Sequence, residues 1–103
     1  MAQKISILII EDEKSICDFI AKTLTSNDYK TITASTGKEG LAFMTSSLPD
    51  LVLLDLGLPD MDGIDIIKET RKWSSVPIIV ISARNQENEK VGAVGLDVIE
   101  DEF

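Results

Sequence analysis

Four consecutive apolar residues, Leu51 to Leu54, run into Asp55 and stop. Behind them Gly57, Pro59, Asp60, Asp62 and Gly63 crowd into one turn-rich stretch. A continuous apolar run has no polar side to offer to water. Such a strand belongs in the middle of a parallel sheet, covered on both faces. Sheets of this kind keep their chemistry in the crevice beyond the carboxyl ends of the strands. Asp55 stands at that end. Taken alone it reads as a turn residue, because aspartate is common in turns.

The rest of the chain repeats the pattern. Ile5 to Ile10 is rich in β-branched residues, reads as a central strand, and ends in Glu11-Asp12-Glu13. Residues 14–26 read as a helix, with Ile16, Phe19, Ile20 and Leu24 sharing a core face by three- and four-residue spacing. Asn27-Asp28 makes a turn, and Lys30 to Ala34 alternates enough to be an edge strand. Thr36-Gly-Lys-Glu39 has the capping-box pattern, so a second helix starts there, with Leu41, Met44 and Leu48 on its core side. After the Leu51–Asp55 strand, Asp62 is placed to cap a third helix. Ile64, Ile67 and Trp73 supply its apolar side, and Asp60 and Asp62 read as turn and cap residues rather than ligands. Val76 to Ile81 is another buried strand, with Pro77 at its start because proline has no donor. Gln86 to Val94 reads as a weaker helix, and Val98-Ile99 as a very short fifth strand. Strand and helix alternate throughout. The expected fold is therefore α/β with a parallel sheet.

Composition narrows the function. The chain has 103 residues, 44% of them hydrophobic, enough for one domain with a proper core. Its net charge of −8 argues against direct nucleic-acid binding by this segment and favours cations or basic surfaces. Cys17 is the single cysteine, so an internal disulfide is excluded and a reducing compartment is expected. Cys17 itself reads as a buried, inert residue of the first helix. No apolar run reaches transmembrane length and the amino terminus lacks a signal-peptide pattern, so the expected location is the cytoplasm, away from the membrane.

The candidates for chemistry lie at three strand ends. The first strand delivers Glu11 and Asp12, the third Asp55, the fourth Ser82. With the first and third strands as neighbours, as in the order 2-1-3-4-5, the three carboxylates converge. Carboxylates that close repel one another and need a cation. Hard oxygen donors of this kind suit Mg²⁺. A backbone carbonyl after Asp55 would add a further ligand, and Gly57 allows that backbone a close approach. An aspartate clamped to a metal within reach of solvent can act as a nucleophile toward a phosphoryl group. Ser82 would then hydrogen-bond a phosphoryl oxygen.

Ile10 to Glu13, the Leu53–Gly63 stretch and Val80 to Arg84 together resemble the receiver domain of two-component response regulators, in the OmpR/PhoB subfamily. The resemblance covers roughly residues 4–95, and its most specific part is Asp55 to Gly63. It implies a flavodoxin-like (CheY-like) fold. It also implies that Asp55 accepts the phosphoryl group, that Asp12 binds Mg²⁺ directly with Glu11 acting mostly through water, and that Gly57 gives its carbonyl to the metal. Ser82 would be the switch hydroxyl beside the small Ala83. The partner would be a sensor histidine kinase, and the controlled output an attached DNA-binding domain that this chain does not contain.

The sequence departs from the family pattern after Lys90. No lysine follows that residue and no proline follows Pro77, where receivers carry a Lys-Pro pair after the fifth strand. Glu102 lies in that neighbourhood with the opposite charge. The aromatic switch residue is missing, the last strand is weak and the last helix absent. Residues 1–103 therefore read as a receiver domain incomplete at its carboxyl end. Weak phosphorylation is expected, together with a carboxyl end that is disordered, rearranged or covered by another chain, and a homodimer or strand-exchanged oligomer is open. Two other functions compete. One is a degenerate receiver used as an interaction module. The other is a haloacid-dehalogenase-like phosphohydrolase, disfavoured because Gly57 stands where that enzyme needs a second aspartate. The reading is a signalling module, not an enzyme.

Overall fold

A computed structural model of the chain describes residues 4–81. These form β1 (Ser6–Ile10), α1 (Lys14–Ser26), β2 (Lys30–Ala34), α2 (Gly37–Ser47), β3 (Leu51–Leu54), α3 (Gly63–Arg71) and β4 (Ile78–Val80). The strands are parallel and lie in the order β2-β1-β3-β4. That is the doubly wound order expected from the sequence. The weaker helix at 86–94 and the fifth strand at Val98-Ile99 lie outside the described residues.

β1 is central because it has nothing polar to show: Ile7, Leu8, Ile9 and Ile10 are all buried. Each such side chain contributes about 1.5–3 kcal/mol of transfer free energy. Successive residues of a strand point to opposite faces. Leu8 and Ile10 join Val52, Leu54, Ile78 and Val80 beneath Met44 of α2 and Ile66 and Ile67 of α3. Ile7 and Ile9 face the other way, with Leu51 and Leu53, against α1. β2 is the edge the alternation predicted, with Lys30 exposed. Pro77 sits just before β4 and contributes its carbonyl to Val52 N at 3.0 Å.

Four expectations are corrected. β1 begins at Ser6, because Asp50 Oδ2 takes the Ser6 N–H at 2.8 Å and Ile5 is half exposed. The buried stripe of α1 is Cys17, Ile20, Ala21 and Leu24, with Ile16 at its border, while Phe19 is 70% exposed. At about 100° per residue Phe19 lies almost opposite Cys17, and small Cys17 and Ala21 let the helix settle closely on β1. Leu48 is 67% exposed, because α2 ends at Ser47 and Leu48 turns left-handed at φ 47°. Ile66, not Ile64, is the fully buried partner of Ile67, and Trp73 lies half exposed beyond the end of α3. Cys17 is buried as expected. Burial raises its thiol pKa, the charges of Asp18 and Glu11 add to the rise, and Lys14 opposes it.

No helix among the described residues is long and apolar enough to cross a membrane.

Candidate functional site

The chain turns left from β1 to β2 and then returns to place β3 on the other side of β1. The carboxyl ends of β1 and β3 flank that reversal, where doubly wound sheets bind their ligands. Register fixes what meets there. Ile10 pairs with Leu54, so Glu11 and Asp55 follow side by side. The ladder runs one residue further on each side, with Glu11 N on Ala34 O at 3.0 Å, Asp55 N on Ile10 O at 3.0 Å and Ile81 N on Leu54 O at 2.8 Å.

Glu11 and Asp55 are 3% and 1% exposed, and Asp12 is half buried. One carboxylate oxygen from each lies within 4.8 Å of the others. Two backbone donors support the pair: Glu13 N–H donates to Glu11 Oε2 at 3.0 Å, and Gly57 N–H to Asp55 Oδ1 at 3.1 Å. Three anionic groups this close, two of them buried, disfavour one another unless positive charge is added. The donor set is made of hard oxygens and therefore fits Mg²⁺ rather than a soft metal.

The loop from Leu56 to Asp62 frames one side of this cluster, and its polar residues all cap something. Asp62 Oδ1 accepts the Ile64 N–H at 3.1 Å and caps α3, as its position in the sequence predicted. Asp60 reaches across to α2 instead. Its two oxygens accept the Gly37 N–H at 2.7 Å and the Lys38 N–H at 3.0 Å. These bonds hold the Asp60 carboxyl below its ordinary pKa of 3.8, the Gly37 bond contributing most. Thr36 Oγ1 takes the next amide, Glu39 N, at 3.1 Å, so the first turn of α2 is capped by two residues far apart in sequence. Glycine is required at two places here. A Cβ at Gly63 would lie 2.7 Å from Leu56 Cα, where the loop folds back on itself and Gly63 N bonds Leu56 O at 3.3 Å. A Cβ at Gly37 would collide with the Met61 side chain and with Ile66 Cδ1.

The structure thus brings Glu11, Asp12 and Asp55 together and sets Gly57 beside Asp55. Ser82, Ala83 and Glu102 lie outside the described residues, so the switch hydroxyl and the lysine neighbourhood do too. Sequence reasoning missed the reach of Asp60. The local pattern marks it only as a turn residue, and the one available signal was Gly37, a residue small enough to let another segment dock on the first turn of α2.

The sequence matches the model of the response regulator receiver domain over residues 7–100. The chain belongs to that family. It is a receiver domain of the two-component response regulators, a class that serves phosphorelay signalling. The relatives are regulators of the OmpR/PhoB type. The KDP operon transcriptional regulatory protein KdpE of Escherichia coli is 44% identical over 89 residues, covering 86% of this chain and 40% of that protein. The sensory transduction protein RegX3 of Mycolicibacterium smegmatis is 42% identical over 98 residues, covering 95% of this chain and 42% of that protein. The chain therefore spans less than half the length of either relative. Among solved structures, the response regulator protein TrrA of Thermotoga maritima, in complex with Mg²⁺-BeF, is 30% identical with a TM-score of 0.74, over 84% of this chain and 76% of that one. The Francisella response regulator 1452 receiver domain gives a TM-score of 0.74 at 30% identity, over 84% of this chain and 74% of that one.

Proposed function

We propose that this receiver domain accepts a phosphoryl group on Asp55 from a sensor histidine kinase and thereby controls an attached DNA-binding transcription domain. The observation that carries the reading is the convergence of Glu11, Asp12 and Asp55 at the carboxyl ends of neighbouring strands, within 4.8 Å. Asp12 and Asp55 would hold Mg²⁺ directly, Glu11 through water, and Gly57 through its carbonyl. When bound, the cation offsets negative charge on the carboxylates and on the phosphoryl oxygens. Its presence with a phosphoryl mimic in the TrrA structure, a relative by fold and sequence, supports this assignment.

The chemistry falls to the chain's own residues. One Asp55 oxygen attacks the phosphorus of a phosphohistidine. The new O–P bond forms as the P–N bond breaks, the imidazole leaves with the shared electron pair and takes up a proton, and Asp55 becomes an acyl phosphate. The Gly57 N–H on Asp55 Oδ1 orients the carboxylate, so that its other oxygen is the nucleophile. Ser82, one residue beyond Ile81, would donate its hydroxyl to the transferred group. With a net charge of −8 the segment itself would not bind DNA.

A second reading, an interaction module that is not phosphorylated, rests on the absence of any lysine after Lys90. Without such a cation near the phosphoryl group, transfer to Asp55 is expected to be slow. Incubation with acetyl phosphate and MgCl₂, followed by intact-mass spectrometry, separates the two. One added phosphoryl group that is lost in Asp55→Asn supports the first reading. No Mg²⁺-dependent addition at any donor concentration supports the second. Catalytic turnover of simple phosphate esters would favour the phosphohydrolase instead.

A further inference from the structure

The Asp60 carboxylate is exposed, lies three residues beyond Gly57, and spends both its oxygens on a helix it does not belong to. Cap residues normally come from the residue just before the helix, and α2 already has Thr36 in that position. The Asp60 contact is also built from the other side. Gly37 leaves room for Met61, whose side chain together with Ile66 fills the place a Cβ would take. Residues 60 and 61 are thus fixed on the first turn of α2 by two hydrogen bonds and one close apolar contact. At its other ends the same loop is held by Gly63 N on Leu56 O and by the buried side chain of Leu58. Gly57 lies between these anchors.

We infer that Asp60 is a positioning residue for the cation site: by tying the Leu56–Asp62 loop to the first turn of α2, it holds the Gly57 backbone in place beside Asp55. The inference rests on the proposed Mg²⁺ site and adds a residue that touches neither the ion nor the phosphoryl group. The physical argument is that a backbone carbonyl serves as a ligand only if its loop is held still, and partners outside the ligand set commonly change metal affinity by about 10–100-fold. Leu58 and Met61 limit how far the loop can move, so the lower end of that range, about tenfold, is expected here.

The test is titration of the 103-residue chain with MgCl₂ by calorimetry, with four variants. Asp12→Asn removes a proposed ligand and reports on the site itself. Asp60→Ala removes both bonds to α2. Asp60→Asn keeps one acceptor, and so one of the two bonds, and carries the test if Asp60→Ala fails to fold. Thr36→Ala uncaps the same helix without touching the loop, so it lowers thermal stability as the Asp60 variants do. The expected result is about tenfold weaker Mg²⁺ binding for Asp60→Ala, an intermediate loss for Asp60→Asn, and no change for Thr36→Ala. Unchanged affinity in both Asp60 variants, with Asp12→Asn impaired, overturns the role of Asp60 and leaves the carboxylate site standing. Equal losses in Asp60→Ala and Thr36→Ala also overturn it, because the effect then comes from the stability of α2. If the unmodified chain does not bind Mg²⁺, or Asp12→Asn binds as well as it does, the site reading fails and the inference with it.

Discussion

The two loops that meet at the site are built on opposite plans. The one after β1 is three residues long, all of them acidic. It brings charge and little else. Glu13, the residue before α1, has an extended backbone suited to capping, yet its side chain makes no cap bond. The loop after β3 is longer and brings one ionic group to the cluster, Asp55, at its head. Everything behind it is framework: Asp62 caps α3, Asp60 caps α2, Leu58 is buried, and Gly63 folds the backbone back onto Leu56. A site made of mutually repelling carboxylates needs one side that can tolerate charge and another that cannot move. Here the two requirements are met by different loops.

If that division is correct, variants in the two loops should fail in different ways. The largest effect is expected on the charge side. Asp12→Asn should weaken Mg²⁺ binding at least about tenfold. It should also raise thermal stability when Mg²⁺ is absent, since one of three close like charges is gone. Calorimetric titration and thermal denaturation by circular dichroism check both, and an unfolded Asp12→Asn chain would break the comparison.

On the framework side, Gly63→Ala should cost about 1–3 kcal/mol of stability, because a Cβ meets the Leu56 backbone and neither can yield without shifting Asp55. Urea denaturation gives the value, and a loss below that range would show that the loop is softer than its contacts suggest. The helix starts should then respond with opposite signs. Asp62→Ala should cost about 1 kcal/mol through loss of the α3 cap, whereas Glu13→Ser should add about 0.5–1 kcal/mol by giving α1 the cap it lacks. Similar denaturation midpoints for these two variants would erase the contrast.

The smallest effect is in pH dependence. The Asp60 pKa is lowered on folding, so its contribution is fully present above its ordinary value of 3.8 and is lost as pH falls through the lower folded value. Compared with Asp60→Asn, the native chain should keep a constant stability advantage from neutral pH down to that point and lose it only in more acidic solution. A difference that vanished at a higher pH would mean that Asp60 does not hold α2 as a carboxylate.

Much of this was legible before any coordinate. The runs ending at Ile10 and Leu54 named the two central strands, and the acids behind them named the site, because a continuous apolar strand can only be interior and its polar successor can only lie at an end. Thr36 and Asp62 announced their helices because capping is decided within three residues of chain. What could not be read was whatever depends on a neighbour distant in sequence. Phe19 fits an apolar stripe by spacing as well as Cys17 or Ala21 does, and only the surface of β1 prefers the small residues. Leu48 continues a helical pattern that the backbone has already left.

The sequence by itself determined the order of the elements, their parallel pairing and the identity of the three carboxylates, since each follows from local periodicity and from the need to bury apolar strands. Tertiary structure alone decided which face of α1 turns inward and which helix Asp60 caps. The reason is the same in both cases: a hydrogen bond or a packing contact across 22 or 23 residues leaves no periodic trace, and it exists only once the sheet has set the distance between the groups it joins.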